Sequence, residues 1–333
     1  IAKNLLFSKK VFNEFKSLLN KENPDIIHVH NFFPQITPSI FFAAKEKNIP
    51  IIQTLHNYRL ICPSGMLMHN NKVYEKSIDY GPFSTVKDRV YRNSFLQTFL
   101  VALMISYHKK INTWNEKVCE YIALTNFSKG KFVDAGFNDQ KISVKPNFVF
   151  DIKSKNSRKR NFALFIGRIG EEKGINVLLE AWEKIDFPLV IAGKGPLEEL
   201  VQNNNNPLVT YVGHQNKNEI NNLLNSASFL VIPSIWFEGF PMVILEAFSA
   251  GLPVIGSKIG SIKEVVKNNI TGLHFETNSS EDLANKVNSL INDAELLKKL
   301  SINSRNEYLQ NYTPEANYSE LISIYNKILN RKD

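Results

Sequence analysis

The feature that most constrains this chain is a recurring unit. A short run rich in β-branched residues ends on polar side chains, and a stretch with helical spacing follows. NPDIIHVHN (23–31) is the first such run and ends on His28, His30 and Asn31. Helical spacing follows over 36–48, and IPIIQTLHN (49–57) repeats the strand with its own polar exit, His56–Asn57. YIALT (121–125) and KISVKPN (141–147) continue the series, with Ser128 a candidate cap for the helix between them. The second half adds NFALFIG (161–167), FPLVIAG (187–193), PLVTYVG (207–213), ASFLVIPS (227–234), LPVIGS (252–257) and GLHF (272–275). Strands joined through helices run parallel, so the alternation predicts α/β architecture with helices covering parallel sheets. In such sheets ligands collect beyond the carboxyl ends of the strands. The polar exits are therefore where chemistry is expected.

The alternation halts at DIKSKNSRKR (151–160), which is polar, basic and aperiodic, and restarts after it. This predicts two doubly wound, Rossmann-like domains, 1–150 and 161–312, joined by a linker at 151–160, with a last helix within 313–333. A chain of 333 residues fits two domains. Between the second and third strands, residues 58–85 read as a long loop, and Val86–Trp114 as one or two helices. The net charge of +8 is unevenly placed: residues 1–150 hold 20 Lys/Arg against 11 Asp/Glu, whereas 151–333 hold 20 against 21. Two cysteines, Cys62 and Cys119, cannot build a disulfide framework or a four-ligand zinc site, which points to a reducing, cytoplasmic setting. The longest apolar run, FLVALMI (99–105), is far short of a membrane span.

Three stretches carry chemistry. GRIGEEKG (167–174) follows a strand and opens a helix. Gly167 and Gly174 permit tight backbone, and Arg168 and Lys173 bring two cations to a helix N-terminus, which favours a diphosphate; a merely basic loop is the alternative. AGKGP (192–196) is a second glycine-rich exit, with Gly195 and Pro196, and a plain turn also explains it. The strongest is PSIWFEGFPMVILEAFSAGLPVIGS (233–257). Here Glu238, Gly239 and Phe240 lie in the loop before a helix, with Glu246 inside it. A carboxylate within MVILEAF is costly unless paired or solvated, and an acceptor-only group there suits the hydroxyls of a sugar or ribose. His28 and His30 share one face of a strand, but one H-x-H without a third ligand is a weak metal signal.

The E-x7-E spacing of Glu238 and Glu246 within EGFPMVILEAFSAGLPVI closely resembles the signature of retaining glycosyltransferase family 4, of the GT-B fold. PDIIHVHN, TLHNYRLICP, YIALTNFSKGKF, KPNFV, GRIGEEKG, AGKGP and GSIKEVVKNNITGL agree in order and spacing, so the resemblance covers roughly residues 23–275. It implies two domains facing across a cleft, an acceptor-side domain first and a nucleotide-sugar domain second, with the final helix crossing back to the first. It also implies that βα units are missing ahead of Ile1, leaving the first domain incomplete at its N-terminus.

Residue by residue, the resemblance implies that Arg168 and Lys173 hold the nucleotide diphosphate, following Gly167. Glu246 would accept hydrogen bonds from the ribose, with Gly195 and Pro196 near the base. Glu238, Gly239 and Phe240 would lie beside the transferred sugar. His56 would reach the donor sugar from the first domain. Glu264 matches a further Glu, although Gly260–Ser261 stands where the family usually has two glycines. A strand-end histidine more often satisfies a hydrogen bond than catalyses; the family match reverses that reading for His56. His30 and Asn31 are candidates for the acceptor pocket.

The expected activity is hexosyl transfer with retention from a nucleoside-diphosphate sugar to a glycan or polyprenyl-linked acceptor, in cell-surface polysaccharide or glycolipid synthesis. No metal cofactor is expected, since two cations can offset the leaving phosphate. A sugar-nucleotide epimerase of the same fold and a non-catalytic nucleotide-sugar-binding protein are the rival readings. No nucleic-acid-binding signature accompanies the basic half. An anionic membrane surface is the expected use of that charge, at the inner face of the plasma membrane, with Ser94–Trp114 as an interfacial helix or, alternatively, a core helix.

Overall fold

The structure, a computed structural model, describes residues 2–154 and 161–330. The chain divides into two compact units, Ile1–Pro146 with Tyr318–Asp333, and Asn147–Asn317. Of the expected linker at 151–160, residues 155–160 lie outside the described residues. Asp151 is gripped by Arg305 (2.7 Å), Ile152 N–H donates to Ser249 (3.0 Å) and Ser154 N–H to Asn225 (2.8 Å), so 151–154 are held against the second unit.

In the first unit, β1 (Ile27–Val29), β2 (Ile51–Leu55), β5 (Glu120–Ala123) and β6 (Ile142–Val144) form a four-stranded parallel sheet in the order β1-β2-β5-β6. A small antiparallel pair, β3 (Met68–His69) and β4 (Lys72–Val73), lies within the loop expected at 58–85. Ile52 and Ile122 of the sheet pack on Ile324 and Ile328 of the helix Pro314–Leu329. The helix Asn126–Asp134 is capped by Thr125, whose hydroxyl accepts from Ser128 N–H at 3.0 Å; Ser128 is thus inside the helix, not its cap.

The segment 86–114 resolves into the helices Phe95–Lys110 and Thr113–Glu116. The longer one has two characters. Val101, Ala102, Met104 and Ile105 are buried, while Phe95, Leu96 and Phe99 on its first turns are exposed. Among the described residues no helix is long and apolar enough to cross a membrane.

The second unit is a six-stranded parallel sheet built from β7 (Ala163–Ile166), β8 (Leu189–Ala192), β9 (Val209–Gly213), β10 (Phe229–Ile232), β11 (Val254–Ser257) and β12 (Gly272–Phe275). Its order is β12-β11-β10-β7-β8-β9. The chain steps outward from β7 to β9, then returns to lay β10 on the other side of β7 and steps outward again. The order therefore reverses between β7 and β10, the switch point at which open α/β sheets bind ligands. Apart from the edge strand β9, burial on both faces explains the apolar runs in these strands.

Candidate active site

The loops after β7 and β10 carry the strongest sequence motifs, and the second unit brings them together. After β7 the chain makes a short 3₁₀ turn, Glu171–Lys173, and enters the helix Ile175–Trp182 through Gly174 at φ +72°. A side chain at Gly174 would collide with the Pro233 carbonyl at the end of β10. The two loops can approach only because position 174 has no Cβ and tolerates a left-handed conformation. Ile235 N–H also donates to the Glu172 carbonyl at 3.0 Å.

The loop after β8 is pressed equally close. A Cβ on Gly193 would strike the Gly167 carbonyl, and one on Gly195 the Ile169 carbonyl. Ile169 N–H donates to Lys194 (2.9 Å) and Leu197 N–H to Ile169 (3.0 Å). Three strand exits are thus fused backbone to backbone.

Lys173 and Glu238 meet in this frame. The Lys173 ammonium donates to Glu238 Oε1 at 2.6 Å, and the Ser234 hydroxyl donates to the same oxygen at 2.7 Å. Glu238 is buried, 7% exposed, so the pair is largely desolvated. Oε2 receives no hydrogen bond from the described residues. The Trp236 ring lies 5.7 Å from the Lys173 ammonium, with its own indole N–H buried and without an acceptor among the described residues. Ser234 is fixed in turn, its carbonyl accepting from the Ser257 hydroxyl (2.6 Å). Ser261, standing where a glycine was expected, donates to the Gly239 carbonyl at 3.2 Å and ties down the Glu238–Phe240 loop.

Arg168 behaves differently from Lys173. Its side chain is 61% exposed and reaches Glu172 only at 3.4 Å. Glu246 is half-buried in the helix Met242–Ser249; burial pushes its pKa up and the charge of Lys217 opposes the rise. Glu264 sits in the helix Gly260–Val265. A cavity of about 360 Å³ opens beside Gly167 and Arg168 and is also lined by Gly193, Lys194, His214 and Gln215. Gly195 and Pro196 do not line it; Gly195 is needed for the backbone approach instead.

The first unit holds a different cluster at the carboxyl ends of its strands. His30, just after β1, and His56, just after β2, are joined at 2.8 Å through His30 Nδ1 and His56 Nε2. His28 stacks on His30 with ring centroids 4.3 Å apart. His28 is held by Tyr325 OH (2.7 Å) and Thr54 Oγ1 (2.8 Å). Burial lowers the pKa of all three histidines, His28 to about 4, with Lys145 acting in the same direction. Asn31 is exposed and its side chain accepts from Phe33 N–H (3.3 Å). Among the described residues no three His, Cys, Asp or Glu side chains are placed to hold a metal ion.

Sequence reasoning did not find Ser234, Trp236, the roles of His28 and Lys145, or the pairing of Lys173 with Glu238. Ser234 was visible as a polar strand exit and His28 as half of H-x-H. The pairing was not visible, because 65 residues separate its members.

Comparison with known proteins bears on the family and the fold. Glycosyltransferase Family 4 matches residues 1–150 and Glycosyl transferases group 1 matches residues 148–307. The chain is 26% identical to an uncharacterised glycosyltransferase of Methanocaldococcus jannaschii, over 94% of this chain and 78% of that one. It is 28% identical to the Escherichia coli UDP-Gal:α-D-GlcNAc-diphosphoundecaprenol α-1,3-galactosyltransferase, over 97% of this chain and 80% of that one. Among solved structures, Anabaena HepE in complex with UDP shares the fold with a TM-score of 0.73 at 17% identity, covering 95% of this chain and 82% of that one. The comparisons do not bear out the expectation that βα units are missing ahead of Ile1. With one family description on its first half and the other on most of its second, the chain belongs to the family 4-like glycosyltransferases of the GT-B fold.

Proposed function

We propose that this glycosyltransferase moves a hexose from a nucleoside-diphosphate sugar to a glycan or polyprenyl-linked acceptor with retention of anomeric configuration and without a metal ion. The observation that carries the reading is the Lys173–Glu238 pair at the switch point, with Glu238 Oε2 open. An ammonium has three donors, and one is engaged by Glu238. The other two, together with the exposed guanidinium of Arg168, face the leaving diphosphate and offset the charge that builds there, work a divalent ion would otherwise do. Glu238 Oε2 accepts from a donor-sugar hydroxyl, the backbone N–H groups of Gly239 and Phe240 approach that sugar, and Glu246 accepts from the ribose. Glu264 borders the same group, and the cavity beside Gly193 takes the base.

The acceptor oxygen attacks the anomeric carbon on the face from which the diphosphate departs. The C1–O(phosphate) bond breaks through an oxocarbenium-like state, and the acceptor proton passes to the departing phosphate oxygen. His56 meets the donor sugar, and His30 and Asn31 the acceptor. The E. coli relative, whose name pairs UDP-Gal with a diphosphoundecaprenol-linked acceptor, supports a role in cell-surface polysaccharide or glycolipid synthesis. The exposed Phe95, Leu96 and Phe99, with Arg92 alongside, support docking on an anionic bilayer at its cytoplasmic face.

The test is a screen of UDP- and GDP-sugars against polyprenyl-diphosphate-linked acceptors, with the product anomer read by NMR. An axial donor should give an axial product at full rate in excess chelator. An inverted product overturns retention, and manganese-dependent turnover overturns metal independence. Conversion of the donor sugar without any acceptor would instead identify an epimerase. Salt-sensitive binding to anionic vesicles, lost in Leu96→Glu, is expected; no binding at low salt ends the membrane reading.

A further inference from the structure

The neutral histidine stack of the first unit does more than line a pocket. One end is anchored: His28 has both ring nitrogens engaged, by Tyr325 and Thr54, and its ring stacks on His30. The other end is open. His30 and His56 stack at 5.1 Å with planes 25° apart, and both are exposed. Among the described residues their side chains hydrogen-bond only to each other, between His30 Nδ1 and His56 Nε2.

Two neutral imidazoles facing each other nitrogen to nitrogen at 2.8 Å can hold one proton between them. If His56 donates, both rings carry their proton on Nε2, the preferred form of a free neutral imidazole. If His30 donates, both must carry it on Nδ1, the less favoured form. The first arrangement is therefore lower in energy, and it leaves His56 Nδ1 bare. We propose that His30 is a positioning residue that sets the tautomer of His56, so that His56 presents Nδ1 as a hydrogen-bond acceptor.

Protonation of His30 would reverse the arrangement, because an imidazolium can only donate and His56 would have to accept at Nε2. The surroundings oppose that. Beside the stack stand His28, Tyr325 and Lys145, which is 7% exposed, and Glu320 is the carboxylate that acts on Lys145. Lys145 and partial burial both disfavour a charge on His30 and His56. A bare Nδ1 suits a sugar hydroxyl, which must donate its proton somewhere. That consequence rests on the proposed function; the tautomer itself does not.

The test is two-bond ¹H–¹⁵N correlation on the ¹⁵N-histidine-labelled full chain at pH 7.5, without ligand. His56 should show a bare Nδ1 and a protonated Nε2 in the wild type. Asn at position 30 retains an acceptor at the place of Nδ1, so His30→Asn should preserve this form. His30→Phe keeps a ring in the stack but removes the acceptor, so His56 should relax from a single tautomer to the mixture of a free imidazole, with an Nδ1-protonated minority appearing. A wild-type His56 protonated on Nδ1, or an unchanged tautomer in His30→Phe, overturns the proposal. Should His30→Phe fail to fold, the wild-type spectrum still decides it. In a transfer assay His30→Phe should lower kcat about tenfold with KM changed by less than about twofold, and His30→Asn should restore most of it. An unaltered kcat in His30→Phe refutes the positioning role. Absence of any transfer by the wild type, with the spectra as expected, refutes the proposed function and leaves the tautomer assignment standing.

Discussion

The two units end their strands in opposite chemistry. The first belongs to the half of the chain with 20 basic against 11 acidic residues, yet its strand exits hold three imidazoles whose pKa burial lowers, so that charge is disfavoured there. The second half is almost neutral, with 20 against 21, yet its strand exits hold a buried carboxylate paired with a part-buried ammonium. Net charge is set by exposed side chains, whereas charge at a site is set by burial and by the nearest partner. Sheet topology differs as well. The first unit steps β1-β2-β5-β6 in one direction, while the second reverses between β7 and β10 and so brings two distant loops side by side. The reversal supplies Glu238 with a cation from 65 residues away. In the first unit His30 and His56 instead meet from the neighbouring strands β1 and β2.

The largest effect that would break this comparison is acid. Burial lowers the pKa of His28, and of His108 inside the helix Phe95–Lys110, to about 4, against an ordinary value of 6.5. Their folded-state values lie below the unfolded ones, so between about pH 6.5 and 4 the unfolded chain binds protons that the folded chain refuses. Stability is complete above pH 6.5 and falls as the pH drops through that window, more through the fully buried His108 than through the part-exposed His28, whose penalty solvent screens. Urea unfolding with proteolytic assignment of fragments should show the first unit loosening before the second. Unfolding of both units that is flat from pH 7 to 4.5 would contradict the account.

Next in size is Lys173→Ala. It removes a cation from the leaving phosphate and leaves Glu238 buried without its partner, so turnover should fall about 100-fold. Arg168→Ala should do less, because that side chain is exposed and loosely held. Equal losses in the two variants would erase the distinction between them.

Smaller still is Gly174→Ala. A left-handed φ and the Pro233 carbonyl both penalise a methyl group, and a loss of about 2 kcal/mol is expected in urea unfolding. Gly81, also at positive φ but in open space, is the control and should lose less in Gly81→Ala. Comparable losses at both would show that the loop approach contributes nothing.

Much of this was legible in the chain alone. All ten strands of the two large sheets fall within the apolar runs, because the central strands are buried on both faces and demand such runs. The hairpin of β3 and β4 was not legible. Each strand has two residues, too few for a period to register. The helix around residues 126–134 was placed with the wrong cap because Thr125 and Ser128 are chemically equivalent candidates, and only backbone geometry separates them. At the site, Glu238, Glu246, Lys173 and Arg168 stood out by local pattern. Ser234 and Trp236 did not, since their meaning comes from what faces them.

The amino-acid order determined the alternation of strands and helices, the glycines at tight strand exits and the residue types available there. These are local properties, readable over a few positions. Tertiary structure alone decided that Lys173 grips Glu238, that Gly174 passes the Pro233 carbonyl, and that His30 meets His56. Each depends on strand order and register. Those are fixed by packing over the whole unit, not by the residues that finally touch.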